Sequence, residues 1–462
     1  MRYRSWKSIA AFCSSCLLWH CSSAERAPGG SSTPADGSNP ASTISPALPN
    51  GSSAAATSPE PGEPAPSPST EGNPMLQGNV GPSTPPVSGT PGGMTPASTP
   101  EMPTPEMPAP ETPPPLTPPA AFSGSFILGA DISSVQEAVD GGALFVDTDG
   151  MQKSLVSLLK NHGFNYVRLR TFVDPQAPYG YASANGCQAK AEAYNDRDHT
   201  IEFAREVKAA GMGLLLDFHY SDTWADPGKQ VIPQAWRASA SVAALATQVQ
   251  AYTVDVLGAM LAAGVRPDMV QVGNEITPGM LIHVPTANTN CFGSNSAVNP
   301  NVNGSANNWD NLATLLKAGI AGVHQVDSTL KVMLHIENFE SANGVISWVR
   351  NAQMRGVAFD VLGLSAYEAF QGPANAWRAT VQTLNAQLPG LSFAIAEYNP
   401  QRRLLNDVMH ELPDGHGLGT FFWEPTQSGE WGNSMFDRQG NRFTARAADF
   451  AEYDQMRRDF GL

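Results

Sequence analysis

From residue 126 onward the apolar positions repeat one pattern. An amphipathic stretch at helical spacing ends near a glycine, and three to five residues later a short, almost wholly apolar run begins. Leu155, Leu158 and Leu159 precede Gly163 and the run 166–170. Ile201, Ala204 and Val207 precede Gly211 and 214–219, and Val249, Tyr252 and Val256 precede Gly264 and 269–274. Helical residues ending at Arg355 and Gly356 lead to 361–365, and further runs lie at 126–131, 332–335, 393–397 and 419–423. Eight near-continuous apolar strands alternating with helices predict an α/β fold, a closed (β/α)8 TIM barrel with a parallel sheet buried on both faces. A doubly wound open sheet is the runner-up. It fits less well, because nearly every run ends in polar or aromatic side chains that a barrel collects at one mouth and an open sheet leaves scattered.

Composition divides the chain before that region. Of the 39 prolines, 26 fall between Pro28 and Pro119. Residues 1–21 read as a secretion signal: Arg2, Arg4 and Lys7 precede an apolar stretch too short to span a membrane. Cys21 follows it in a setting open to two outcomes, lipoprotein-type processing with a lipid anchor or ordinary cleavage nearby. Residues 22–120 are expected to be a disordered, partly polyproline-II stalk, because they hold few side chains able to offset ordering entropy. Residues 121–462 are the expected catalytic domain. The protein is thus expected to be exported, either extracellular or tethered to the cell surface, and monomeric.

The net charge of −15, carried mostly by residues 121–462, lacks the basic footprint that nucleic acid demands. Two of the five cysteines, Cys187 and Cys291, fall in the globular region, each in a Gly/Asn-rich loop. They are either a disulfide or two free thiols.

The polar strand ends carry the candidate chemistry: Asp131, Arg168 and Arg170, Asp217 and His219, Asn274 and Glu275, His335, Ser365 and Tyr367, Glu397, Trp423 and Glu424. Residues two apart on a strand share a face, so each of these strand-end pairs can point into one cavity. Any one of them reads equally as a core ion pair. Together they imply a site, because burying so many polar groups is costly otherwise. Glu275 and Glu397 on strands four and seven, with aromatic residues nearby and no metal-ligand spacing, point to glycoside hydrolysis, with Glu337, Glu368 and Glu424 as rival carboxylates. A retaining mechanism needs one neutral and one ionised carboxyl about 5–5.5 Å apart. Arg168 or Arg170 is the expected partner that keeps Glu397 ionised. His219, Tyr220, Asp222, His335 and Ser365 are expected to orient the pair or touch sugar hydroxyls, with Asp217 in a supporting network behind them. Trp423 and Trp236 are favoured over Trp224 and Tyr367 as flat faces for sugar rings.

The run 216–230, which reads LDFHYSDTWADPGKQ and includes Asp222, is followed by Pro233 and Trp236. With 165–170, 271–276, 279–281, 360–365 and 419–425, it resembles the arabinogalactan endo-β-1,4-galactanases of glycoside hydrolase family 53, over residues 126–455. The resemblance implies endo-acting, retaining cleavage of β-1,4-galactan or the arabinogalactan side chains of pectin. It makes Glu275 the acid/base, Glu397 the nucleophile and Asn274 a contact to the sugar 2-hydroxyl. The chain departs from the family at 365–368 (SAYE) and 397–400 (EYNP), which bears on subsites. The segment after Glu397 is too short for the calcium site of some bacterial members, so no metal and no cofactor are expected. Two other readings remain open: a retaining endoglycanase of the same clan acting on mannan, xylan or β-glucan, and a non-catalytic carbohydrate-binding barrel.

Overall fold

The structure, a computed structural model, describes residues 125–183, 192–290, 292–427 and 432–462. The expected secretion signal, Cys21, the stalk, and the pair Cys187 and Cys291 lie outside the described residues.

Eight parallel strands close on themselves. They are β1 (Ile127–Asp131), β2 (Tyr166–Thr171), β3 (Gly213–Phe218), β4 (Met269–Val272), β5 (Lys331–Ile336), β6 (Val361–Ala366), β7 (Ser392–Tyr398) and β8 (Gly417–Trp423). Each pairs with its sequence neighbours, and β1 closes the ring against β8, with Ile127 opposite Gly419. The connecting helices are α1 (Leu155–Asn161), α2 (Arg197–Ala209), α3 (Val242–Ala262), α4 (Trp309–Val326), α5 (Ala342–Gln353), α6 (Ala374–Gln387), α7 (Arg402–His410) and α8 (Ala447–Asp459). The fold is the (β/α)8 barrel that the periodicity predicts. Ser154, Asp196, Ser241, Asn308 and Ser341 start five of the helices by accepting a hydrogen bond from a first-turn backbone N–H.

Period-2 alternation sorts the interior into layers. Ile127, Tyr166, Leu215, Met269, Met333, Val361, Leu418 and Phe421 form an apolar plug near the strand N-termini. Tyr166 and Phe421 meet edge to face at 5.7 Å. Gly213 and Gly129 leave room for these rings, since a Cβ there would lie 2.2 Å from Tyr166 and 2.5 Å from Phe421. Two residues further along the same strands the inward side chains turn polar: Arg168 above Tyr166, Asp217 above Leu215, Gln271 above Met269, and His335 above Met333. The outward faces pack on the helices in a continuous apolar shell.

Two elaborations were not legible in the periodicity. After β4 the chain makes an excursion of two short antiparallel pairs, Gly279–Met280 with Gly304–Ser305 and His283–Val284 with Ala297–Val298. Leu144–Val146 and Gln152–Lys153 join Phe436–Gln439 and Arg442–Ala445 in a small four-stranded sheet.

Candidate active site

The polar layer is organised by Arg168, which is fully buried. One guanidinium nitrogen donates to Asp131 Oδ2 at 2.8 Å and to Glu397 Oε1 at 2.9 Å. The other terminal nitrogen donates to Asp217 Oδ2 at 2.8 Å and Asn274 Oδ1 at 2.7 Å, and Nε reaches Gln271 Oε1 at 3.1 Å. One planar cation thus ties together β1, β3, β4, β7 and its own β2. Burial alone would weaken its charge, but Asp217, Glu397 and Asp131 together hold it more firmly protonated than usual. Arg168→Met leaves three carboxylates without their shared cation. The expected cost is about 3–5 kcal/mol in urea unfolding, and Arg168→Lys recovers little because an ammonium cannot span the same acceptors.

Arg168, not Arg170, holds Glu397. Arg170 lies one layer higher, donates to Glu424 Oε1 at 3.2 Å and stacks its guanidinium 4.0 Å above the Trp224 ring. Trp224 in turn meets Trp423 edge-on at 6.2 Å, so the two tryptophans form one wall of the mouth. Glu424 also accepts from the Ser134 backbone and hydroxyl. This is a buried ion-pair role for one of the rival carboxylates. Glu368 accepts from the Ala374 N–H and Gln401 Nε2, at the start of α6.

Glu275 and Glu397 rest against two side chains at the C-terminal end of β6, Ser365 on the strand and Tyr367 just past it. Ser365 Oγ lies 2.6 Å from Glu275 Oε1, and the Tyr367 hydroxyl donates to Glu397 Oε2 at 3.1 Å. Irregular register at Leu364/Ser365 and between Ile395 and Tyr398 sets Ser365 opposite Glu397 and re-aims both strand ends. The two carboxyls sit in different fields. Burial pushes Glu397 up to about 7 against the pull of Arg168. Burial, then the charges of Glu397 and Glu337, push Glu275 well above the ordinary carboxyl range. Glu275 has no cation in contact, so it is the more strongly protonated of the two. Glu337, just past β5, is pushed to about 7 by burial and is held by Thr277.

These shifts set a pH dependence of stability. Glu275, Glu397, Glu424 and Glu337 all bind protons more tightly folded than unfolded, so stability falls as pH rises from the unfolded carboxyl value through the folded one. Buried His219, His283 and His335, held neutral, act oppositely, but only below the ordinary histidine value. The melting temperature is therefore expected to drop between pH 6.5 and 8. Glu424→Gln is expected to reduce the drop; calorimetry across that window reads both.

Several expected sugar contacts are corrected. Tyr220 is 1 % exposed; its hydroxyl meets Thr253 of α3 at 2.7 Å and its ring stacks on Phe218, on the outer face of the barrel. Trp236 packs beside it against Tyr220 and Tyr252 in the core. Asp222 accepts from the Asp174 and Gln234 backbone N–H groups and clamps two loops. His219 accepts from Ala225 N–H through Nδ1 and faces Asp217 at 3.1 Å through Nε2, so both ring nitrogens are engaged within the protein. His335 and Ser365 are wholly buried and touch Glu275 and Asn274 instead of solvent. Asn274 and Tyr367 stay beside the carboxyls, Trp423 stays in the mouth wall against Trp224, and among the described residues its buried Nε1 has no hydrogen-bond partner. The sequence reading missed Gln271, Gln230, Ser133 and Ser134. Gln230 Nε2 donates to the Asn274 carbonyl at 2.9 Å and so fixes the backbone that carries Glu275.

Among the described residues no group of three or more His, Cys, Asp or Glu side chains is arranged to hold a metal ion.

The sequence model of glycosyl hydrolase family 53 matches residues 127–401. The chain is 31% identical to the endo-beta-1,4-galactanase of Bacillus subtilis over 63% of its own length and 59% of that protein's. It is 28% identical to the arabinogalactan endo-beta-1,4-galactanase of Humicola insolens, covering 64% of this chain and 88% of that one. The Ignisphaera aggregans GH53 catalytic domain superposes with a TM-score of 0.60 at 28% identity, over 72% of this chain and 96% of that one. A matching barrel, a polar mouth holding two buried carboxyls in unlike fields, and a family match across most of the barrel agree, and the chain is a glycoside hydrolase that belongs to glycosyl hydrolase family 53.

Proposed function

We propose that the protein is a retaining endo-β-1,4-galactanase acting on linear galactan and on the arabinogalactan side chains of pectin. The observation that carries this reading is the pairing of Glu275 and Glu397 against Ser365 and Tyr367 at the end of β6, one without a cation in contact and one bound to Arg168. Glu397, ionised, attacks the anomeric carbon as Glu275 gives its proton to the departing glycosidic oxygen. The C–O bond breaks and a glycosyl ester of Glu397 forms. With the Glu397 charge gone, Glu275 is a better base. It takes a proton from water, the water oxygen bonds to the anomeric carbon, and the ester bond breaks. Asn274 keeps its Oδ1 on Arg168 and one Nδ2 hydrogen on the Ala225 carbonyl, which leaves a second Nδ2 hydrogen for a sugar hydroxyl. The Trp224–Trp423 wall suits the apolar face of a galactose ring. The acidic chain suits a neutral glycan better than a polyuronate.

Incubating the protein with linear β-1,4-galactan should give a ladder of short oligosaccharides whose new reducing ends are β when first formed. Faster cleavage of mannan, xylan or β-glucan would reassign the substrate, α products would remove the retaining mechanism, and binding without products would leave a lectin-like barrel.

A further inference from the structure

The hydrogen bonds behind Glu275 run in a fixed direction, and that direction follows from groups with no freedom to choose. Asn274 Oδ1 faces Arg168, which can only donate, at 2.7 Å, and Asn274 Nδ2 faces the Ala225 carbonyl, which can only accept, at 2.8 Å. The amide is therefore locked with its oxygen toward His335 Nδ1, 2.8 Å away. An oxygen acceptor there requires a proton on Nδ1. Among the described residues the other polar side-chain atom near Nδ1 is Gln271 Nε2 at 3.3 Å, whose two hydrogens are shared among the acceptors Asp217 Oδ1 at 2.6 Å, the Gly273 carbonyl at 3.0 Å and Asn274 Oδ1 at 3.1 Å. Gln271 is itself locked, since its Oε1 accepts from Arg168 Nε.

His335 is wholly buried, and burial together with the nearby charge of Arg168 holds it neutral. A neutral ring with its proton on Nδ1 presents a bare lone pair at Nε2. Ser365 Oγ is 2.9 Å from that nitrogen, so the single hydroxyl proton of Ser365 goes to His335. Ser365 then has only lone pairs to offer Glu275 Oε1 at 2.6 Å. A carboxylate at that distance would set lone pair against lone pair, whereas a carboxylic acid completes the chain.

We propose that Ser365, His335 and Asn274 form a one-way hydrogen-bond chain that holds Glu275 as the protonated acid, with Ser365 as the positioning residue that receives its proton. The inference rests on the acid/base reading of Glu275 given above. It also gives the second half-reaction a direction. The proton that Ser365 receives in hydrogen bonding is the one the reaction uses: as it passes to the departing oxygen the bond to Ser365 breaks, the Glu275 anion faces the Ser365 lone pair, and the bond re-forms once Glu275 has drawn a proton from the attacking water. The charged and titratable groups that also act on Glu275 are Glu397 on β7, Glu337 beyond β5, Arg168 on β2 and Tyr367 just past β6. All of them remain in place in the test below.

A serine that donates to a carboxylate lowers its pKa, and one that accepts from the acid raises it, so the sign of one shift separates the two arrangements. In Ser365→Ala the high-pH limb of kcat/KM on galactan should move down by about one pH unit, and Ser365→Thr, which keeps the hydroxyl, should restore it. A limb that stays fixed or moves up overturns the proposal. A second measurement reads the tautomer directly: nitrogen-15 NMR of histidine-labelled wild-type protein should show His335 with a protonated Nδ1 and a bare Nε2 from pH 5 to 8. Its signal is identified by the change it undergoes in Ser365→Thr. A ring protonated on Nε2, or on both nitrogens, overturns the chain. The acid/base reading fails separately, if Glu275→Ala cleaves galactan at the wild-type rate, whatever the tautomer of His335.

Discussion

Glu397→Gln is expected to stop turnover while leaving the protein folded and able to hold its glycan. The side chain keeps its shape, and its amide can still meet Arg168 through oxygen and Tyr367 through nitrogen. The nucleophilic electron pair is gone. Loss of the group that forms the covalent intermediate lowers kcat on the order of 10⁴-fold or more. Removing one negative charge from a cluster that already contains Asp131 and Asp217 relieves repulsion, so the melting temperature at pH 8 should not fall. Steady-state hydrolysis and calorimetric titration with a β-1,4-galacto-oligosaccharide read the two halves. Activity within tenfold of wild type would remove Glu397 from the nucleophile position, and loss of binding along with turnover would make it a substrate anchor.

Glu275→Ala gives a different signature. On polymeric galactan, whose leaving group needs a proton, kcat should drop by roughly 10²–10⁴-fold. On an aryl galactobioside with a nitrophenolate leaving group the first step no longer needs the acid. Release of phenolate should then burst to one equivalent of enzyme before slowing, as the ester on Glu397 waits for unassisted water. Added azide should enter the space left by the carboxyl, displace Glu397 from the glycosyl ester and restore turnover as a β-galactobiosyl azide. A uniform loss on both substrates, with no burst and no azide product, would mean that the residue supports the site without moving protons.

Much of the barrel was legible because its strands are apolar on both faces and each is followed by a helix with a glycine near its end. The eight predicted runs lie within two residues of the observed strands at nearly every boundary. Arg168 and Arg170, or Asp217 and His219, were placed inward by simple alternation. The same rule failed one residue further on. It assumes extended backbone, and Tyr220 has φ +49°, which swings its side chain out of the mouth and into the packing against α3. Trp236 follows it there. Glu275 and Glu424 have the same left-handed backbone, with φ of +47° and +42°, yet end at the mouth and in its buried ion pairs. Their directions are set by loops: Gln230 bonds the carbonyl before Glu275, and Ser134 receives Glu424. Gln271 escaped notice because one amide in the run MVQV reads as a defect in an apolar strand. Only the three-dimensional position of Arg168 shows why a donor and acceptor in fixed orientation are needed there.

The reach of Arg168 bears on how the chain can be made. Its partners are Asp131, Asp217, Gln271 and Asn274, and then Glu397, which lies 229 residues further along the polypeptide. While the chain emerges from the ribosome at about 5–20 residues per second, the first half of the barrel exists for many seconds with this cation beside two carboxylates and an open seam. Its last carboxylate partner arrives only after those 229 residues have been made. A nascent half-barrel therefore has little reason to harden early, and the polar mouth sets only once β7 has joined the barrel.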